Sequence, residues 1–217
     1  MTVWRNASLA AFLWMGVTAQ AQDQGSGPGY EMLEGLLAKA KAASDAGDTD
    51  LATKYASELL AKNTDKASWN YGNVVYEANE ILGLAALKKG DMASAKRYLI
   101  AAGRTPGSPQ FDSFGPEMTL AQRLLDKGEK ETVLEFLDLV AKFWATRKPG
   151  DSDKFAELDR RHAATIEGWK EEIRAGGKPR LDRFGVLIPA WTYWLLPVIA
   201  GIFLVVSSYR GRQRADE

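Results

Sequence analysis

The sequence predicts an all-α protein built as an α-solenoid of stacked helical hairpins, with one transmembrane helix near the C-terminus. Three dipeptides, Gly47-Asp48, Gly90-Asp91 and Gly128-Glu129, each lie between two stretches of helical apolar periodicity, and glycine commonly ends a helix. These dipeptides recur about 40 residues apart, a spacing typical of arrays of helix pairs. No alternating apolar pattern of strand length occurs between residues 30 and 175, so no β-sheet is expected.

Composition shifts and chain breaks divide the sequence into seven predicted segments. They are a signal peptide (1–21), a flexible leader (22–29), a helical-repeat domain of about three hairpins (30–147), a capping helix (152–175), a hinge (176–184), a transmembrane helix (185–208) and a cytoplasmic tail (209–217).

The N-terminus has the three parts of a secretory signal. Arg5 lies in a short polar start, an apolar run covers residues 9–17, and Ala19-Gln20-Ala21 is a small-x-small cleavage site. The leader that follows contains glycine and proline and is too polar to join a core. We therefore expect export of the domain that follows; the sequence leaves open whether the signal is cleaved.

Residues 185–208 carry no charged side chain. A helix of this length would cross a hydrocarbon core of about 30 Å, whereas a core helix normally shows a polar stripe. We expect a single-pass protein of the bacterial cytoplasmic membrane, with its repeat domain on the periplasmic or extracytoplasmic side. The residues predicted at the membrane interfaces are Trp191, Tyr193, Trp194, Arg210, Arg212 and Arg214.

The composition excludes several classes of function. Lysine plus arginine equal aspartate plus glutamate at 28 each, so no net charge favours nucleic acid. The chain has no cysteine and one histidine, which excludes disulfides and thiolate metal sites and leaves few catalytic arrangements. We expect no metal, no cofactor and no enzymatic activity.

The middle hairpin is the clearest of the three, with helices predicted at about residues 68–89 and 92–102. Gly83 and Ala95 are small where we expect its two helices to cross, while Leu82 and Leu99 would fill the groove to the neighbouring pairs. Tetratricopeptide repeats place leucine, glycine, alanine, a large apolar residue, alanine and proline at the positions occupied by Leu82, Gly83, Ala95, Leu99, Ala102 and Pro106.

Residues 79–91 (NEILGLAALKKGD), 101–110 (AAGRTPGSPQ) and 113–116 (SFGP) carry a more specific resemblance. The chain resembles an uncharacterised bacterial family of tetratricopeptide-like proteins over about residues 70–144, roughly a third of its length. The resemblance implies a tetratricopeptide-like fold and no particular activity. Members often carry two histidines where this chain has Tyr76 and Glu77, so a site built on those histidines is not implied here.

One face of the middle hairpin's first helix is the candidate binding surface. Its residues are spaced by three or four positions and would line the concave groove where helical repeats bind peptides; a solvated helix face is the alternative. These residues are Asn70, Asn73, Glu77, Glu80 and Leu84.

The segment 103–116, with three prolines and three glycines, is a second candidate. It could present a ligand-binding rim or form a stiff turn with Phe111 and Phe114 in the core. Arg104 would then either contact a partner or compensate the negative end of a helix.

The predicted capping helix has its apolar residues on one broad face, with Ser152 as its N-cap. These apolar residues are Phe155, Leu158, Ile166, Trp169 and Ile173. His162 lacks a second histidine for metal binding and is expected at the surface.

The sequence thus favours a protein-binding or scaffolding module at the cell envelope, with a protein or peptide partner. An enzyme or enzyme accessory using the carboxylates of Glu77 and Glu80 is the alternative. Assembly through small residues of the predicted span, such as Gly201, is a third possibility.

Overall fold

The structure, a computed structural model, describes residues 28–146 and 153–181. These residues form eight α-helices and no β-strand, which confirms the all-α prediction. The helices are α1 (Pro28–Asp45), α2 (Thr49–Lys62), α3 (Tyr71–Lys88), α4 (Met92–Gly103), α5 (Pro109–Phe114), α6 (Thr119–Asp126), α7 (Lys130–Trp144) and α8 (Asp153–Arg174).

The first two predicted turns are built alike. Gly47 and Gly90 have φ of 78° and 81°, the left-handed conformation that glycine adopts without steric cost. The backbone N–H groups of Asp48 and Asp91 donate to carbonyls of the preceding helix at 2.9 Å. Their side chains accept from the N–H groups of Leu51 and Ser94 in the next helix. Each Gly-Asp pair therefore ends one helix and caps the next.

The third turn is similar on its helix-ending side only. Gly128 has φ of 90°, and the N–H of Glu129 donates to the carbonyl of Leu124 at 3.0 Å. The side chain of Glu129 makes no capping hydrogen bond to α7. Glutamate is a poorer N-cap than aspartate, so this turn stabilises the next helix less than the other two.

Consecutive helices pack against one another through small and branched apolar side chains. Helix α2 contacts both α1 and α3, α3 contacts α4, and α7 contacts α4, α6 and α8. Buried alanines on α1, α2 and α3 allow their backbones to approach closely. The core of these three helices includes Leu36, Leu37, Ala40, Ala52, Ala56, Leu59, Val74, Ala78, Ile81 and Leu82.

Gly83 marks a close helix contact, but its partner differs from the predicted one. A Cβ atom at Gly83 would overlap the side chain of Leu120 on α6. The small residue therefore serves the approach of α6 to α3 rather than the crossing of α3 with α4. Ala95 and Leu99 of α4 are fully buried.

Helix α8 covers α7 and corrects the prediction for the histidine. The ring of His162 is buried and stacks on that of Trp144 with centroids 4.3 Å apart. Its Nδ1–H donates to the carbonyl of Trp144 at 3.0 Å. Burial, the largest influence, lowers the pKa of His162. The predicted surface position is wrong because the ring of His162 is buried against Trp144, at the end of α7.

The predicted membrane localisation is wrong. Within residues 28–146 and 153–181, no helix is long and apolar enough to cross a membrane. The longest helix there, α8, carries charged side chains along its whole length. Several predicted features lie outside the described residues: the predicted signal peptide (1–21), the predicted N-cap Ser152, the segment 185–208 with Trp191, Tyr193 and Trp194, and the predicted tail with Arg210, Arg212 and Arg214.

Candidate functional site

A cavity of about 190 Å³ lies between α1, α3 and Glu117, which shortly precedes α6. We call it the Glu80 cavity; it is lined by Lys41, Ser44, Asp45, Tyr76, Glu77, Glu80, Ile81, Leu84 and Glu117. A second cavity of about 260 Å³ shares Ser44, Asp45, Leu84 and Glu117 with it and extends to Lys88 and Arg123. Because the two share four lining residues, they form one groove.

Helix α3 supplies most of the floor of the Glu80 cavity. Tyr76, Glu80 and Leu84 are four residues apart and so point to the same side of the helix. Tyr76 is fully buried, and its hydroxyl donates to the carbonyl of Glu117. This hydrogen bond ties the residues before α6 to α3 and fixes one wall of the cavity.

The carboxyl group of Glu80 caps α6 across the helix interface. The N–H of Leu120, in the first turn of α6, donates to Glu80 Oε1 at 2.6 Å. The side chain of Met118, the N-cap residue of α6, makes no such bond. Glu80 therefore satisfies one of the free N–H groups at this helix start, and the absence of a side chain at Gly83 lets Leu120 come close enough.

Glu80 is buried, with 4% of its surface exposed. Desolvation raises its pKa to about 8; Leu120 N–H and Arg123 oppose this shift, and Glu117 and Glu77 add to it. The group is thus mainly a neutral acid at pH 7. Its second oxygen, Oε2, is buried and has no hydrogen-bond partner within the described part of the chain. Such an orphaned polar atom is rare in protein interiors.

Glu77 lies at the rim of the same cavity. Its carboxylate forms an ion pair with Lys41 of α1, and the two side chains are 18% and 48% exposed. Lys41 is therefore held at the cavity mouth by a contact that solvent reaches only from the lysine side. Glu77 Oε2 is buried, whereas the lysine side chain is half-exposed, so a second cation could take its place only by reaching past the surface to this oxygen.

The structure divides the predicted binding face into two parts. Asn70 and Asn73 are buried, with Asn73 Nδ2 donating to Asn70 Oδ1 at 2.7 Å and to Gln110 Oε1 at 2.9 Å. The hydroxyl of Ser108 donates to Asn73 Oδ1. Asn70 Nδ2 also donates to Glu34 Oε1 at 3.1 Å. These amides connect α3 to α1 and to the start of α5, whereas Glu77, Glu80 and Leu84 line the groove.

The segment 103–116 is packed against the body of the protein. The hydroxyl of Thr105 donates to the carbonyl of Gly72 at 2.7 Å. A Cβ atom at Gly107, which has φ of 81°, would lie 2.9 Å from Phe143 Cβ. Phe111 is buried as predicted, but Phe114 is 77% exposed and does not join the core. The proline-rich segment thus connects α4 to α6 by close packing.

Arg104 is exposed and is the C-cap residue of α4. Its backbone N–H donates to the carbonyls of Ile100 and Ala101. The structure therefore separates Arg104 from the groove residues Glu77 and Glu80, since it lines neither cavity.

Lys41, Asp45 and Glu117 are site residues that the sequence reasoning missed. They lie on α1 and before α6, about 40 residues from Glu77 and Glu80, so no local spacing connects them. Within the described ranges, no group of three histidine, cysteine, aspartate or glutamate residues is arranged to hold a metal ion. What this cavity can offer is a set of carboxyl groups, one of which is neutral and partly unpartnered.

No family model, curated protein or solved structure matches this chain. The tetratricopeptide-like family therefore stays a prediction from the sequence.

Proposed function

We propose that this chain is a tetratricopeptide-like protein that binds a segment of a protein partner in the groove between α1, α3 and the start of α6. One observation carries this proposal: two cavities lined by α1, α2, α3 and the segment 117–123 join into one groove, which has charged side chains in both cavities. A groove of this form accepts an extended backbone and gives its side chains separate positions.

The packing of the helices supports the same proposal. Three turns that each join two helices recur along the chain, and α2 packs on both its own hairpin partner and the first helix of the next hairpin. In helical-repeat proteins such contacts create concave surfaces that bind peptides. The proposed contact surface therefore keeps only part of the predicted binding face, namely Glu77, Glu80 and Leu84. It no longer includes Asn70, Asn73 and Arg104. The structure adds four lining residues: Lys41, Ser44, Asp45 and Glu117.

A substitution that fills the groove tests this function. Ser44 is half-buried and lines both cavities. Peptides selected from a random nine-residue display library on the immobilised full-length chain should bind Ser44→Tyr at least tenfold more weakly. Ala42→Tyr is the matched control, because Ala42 is exposed on the same helix and lines neither cavity. Selected peptides that bind both variants like the wild type would contradict the proposal.

A second function is favoured by one observation at the same cavity. The neutral carboxyl of Glu80 lies with Glu77 and Glu117 around one cavity. A carboxyl group with a raised pKa beside further carboxyl groups is typical of general acid and base pairs. Mass spectrometry of a selected peptide after long incubation separates the two functions: an intact peptide supports binding alone. A converted peptide, with conversion lost in Glu80→Gln, would support an enzyme.

A further inference from the structure

We infer that the Glu80 cavity binds one cationic side chain, a lysine ammonium or an arginine guanidinium, of the partner segment. This inference rests on the proposed function of the groove and names the chemistry of its partner.

The charge of the cavity lining carries the first step. Four carboxyl groups, those of Asp45, Glu77, Glu80 and Glu117, surround it, against the single cation of Lys41. The adjoining second cavity shares the carboxyl groups of Asp45 and Glu117, but it also has two basic side chains, Lys88 and Arg123. Its acidic and basic side chains are therefore equal in number. The excess of carboxyl groups is therefore confined to the Glu80 cavity, so a cation is favoured at one position of the bound segment rather than along all of it.

The orphaned oxygen of Glu80 is the second step, and it is independent of the charge count. Glu80 Oε1 is held by the N–H of Leu120 at 2.6 Å, which fixes the orientation of the carboxyl group. Oε2 is buried without a hydrogen-bond partner among the described residues. A buried oxygen left in this way is unfavourable, and once Glu80 is ionised a donor with a positive charge is the partner that its carboxylate binds most strongly.

The size of the cavity is the third step. The Glu80 cavity is one part of the groove, and its own volume of about 190 Å³ is below the 300–1,000 Å³ that is roughly typical of sites for whole small-molecule ligands. It suits the end of a single side chain. Lys41 already places an ammonium group at the mouth, in its ion pair with Glu77. A ligand cation would compete with Lys41 for Glu77 and reach further to Glu80.

The protonation of Glu80 gives this binding a pH dependence. Because the pKa of Glu80 is about 8, only about a tenth of the molecules carry a carboxylate there at pH 7. A cation favours the carboxylate, so affinity should rise by up to about tenfold between about pH 7 and pH 9. The charged or titratable groups that surround Glu80 are Lys41 and Asp45 on α1, Tyr76 and Glu77 on α3, Glu117 before α6 and Arg123 on α6.

The test uses the full-length chain and the random nine-residue display library. We expect the selected peptides to share a lysine or arginine at one position. In a synthetic selected peptide, norleucine at that position should weaken binding at least tenfold. Glu77→Gln and Glu80→Gln should each weaken it several-fold or more, and Glu80→Gln should remove the rise with pH. Lys41→Met should strengthen binding several-fold, because the competing ammonium is gone.

Glu58→Gln is the matched control. Glu58 is an exposed carboxylate on α2 that faces Lys62 at 3.9 Å, so affinity and its pH dependence should be unchanged. Circular dichroism establishes that each variant is folded. Because glutamine keeps an oxygen for the N–H of Leu120, Glu80→Gln is compatible with the fold, and Glu77→Gln provides an independent variant at the rim.

Three outcomes overturn the inference. Selected peptides without a shared cation, or with unchanged affinity after the norleucine replacement, contradict the inference while leaving the proposed function standing. Binding of spermidine at the cavity without any selected peptide would identify a free amine as the ligand and reject both. Recovery of no peptide above the background of an uncoated surface rejects the proposed function and, with it, the inference.

Discussion

The buried carboxyl group of Glu80 should make the stability of the fold fall as the pH rises. In the unfolded chain this group titrates near its ordinary pKa of 4.5, and in the fold near 8. Its contribution is therefore fully present below about pH 4.5 and is lost as the pH rises through about 8. At about 1.4 kcal/mol for each pKa unit, the loss across this range is limited to on the order of 5 kcal/mol.

Replacing Glu80 by glutamine removes this titration and keeps the oxygen that accepts from Leu120 N–H. We expect the free energy of unfolding of Glu80→Gln, minus that of the wild type, to increase by several kcal/mol between about pH 5 and pH 9. Urea unfolding followed by far-UV circular dichroism, repeated across this pH range, measures the difference. Glu58→Gln, at an exposed carboxylate, should show no such trend. If the curves of Glu80→Gln and the wild type run parallel, Glu80 is not a buried neutral acid.

Three further substitutions test the packing and capping, each read as a change in the free energy of unfolding. Gly83→Ala should destabilise the fold by about 1–3 kcal/mol, because the new methyl group would overlap α6. Gly168→Ala is the control: a Cβ atom there meets no neighbouring atom, so this change should stabilise the fold by about 0.5–1 kcal/mol. Similar values at both sites would contradict the close contact at Gly83. Asn73→Ala should cost about 1–3 kcal/mol, because it leaves buried partners unpaired, and no loss would place the amide in solvent. Asp91→Ala should cost about 1 kcal/mol through the lost cap of α4, and an unchanged midpoint would show that this cap is dispensable.

The helices and their turns could be predicted because their causes are local. Each of the first two turns combines a glycine with positive φ and an aspartate that caps the next helix, and both residues are adjacent in sequence. The short helix α5 was missed, although Ser108 as N-cap and Pro109 in the first turn are the usual signals of a helix start. Serine and proline also favour turns, and the sequence pattern therefore predicts a turn in this segment.

The candidate site could be predicted only in part, because its geometry depends on distant residues. Spacing placed Asn73 and Glu80 on one helix face, but spacing alone does not tell which part of a polar face is solvated. Ser108 and Gln110 form hydrogen bonds with the buried amide of Asn73. The N–H of Leu120 donates to the carboxyl group of Glu80. His162 was misjudged for the same reason, since the aromatic surface on which it stacks belongs to α7.

The most direct test of the account is whether a bound peptide covers the groove. The chain has no cysteine, so Ser44→Cys and Ala42→Cys each introduce a single thiol on α1, one lining the groove and one outside it. We measure the rate of maleimide alkylation of each variant with and without a saturating selected peptide. The account predicts that the peptide slows alkylation at least tenfold in Ser44→Cys and leaves Ala42→Cys unchanged. Equal rates with and without peptide in Ser44→Cys would contradict binding in this groove.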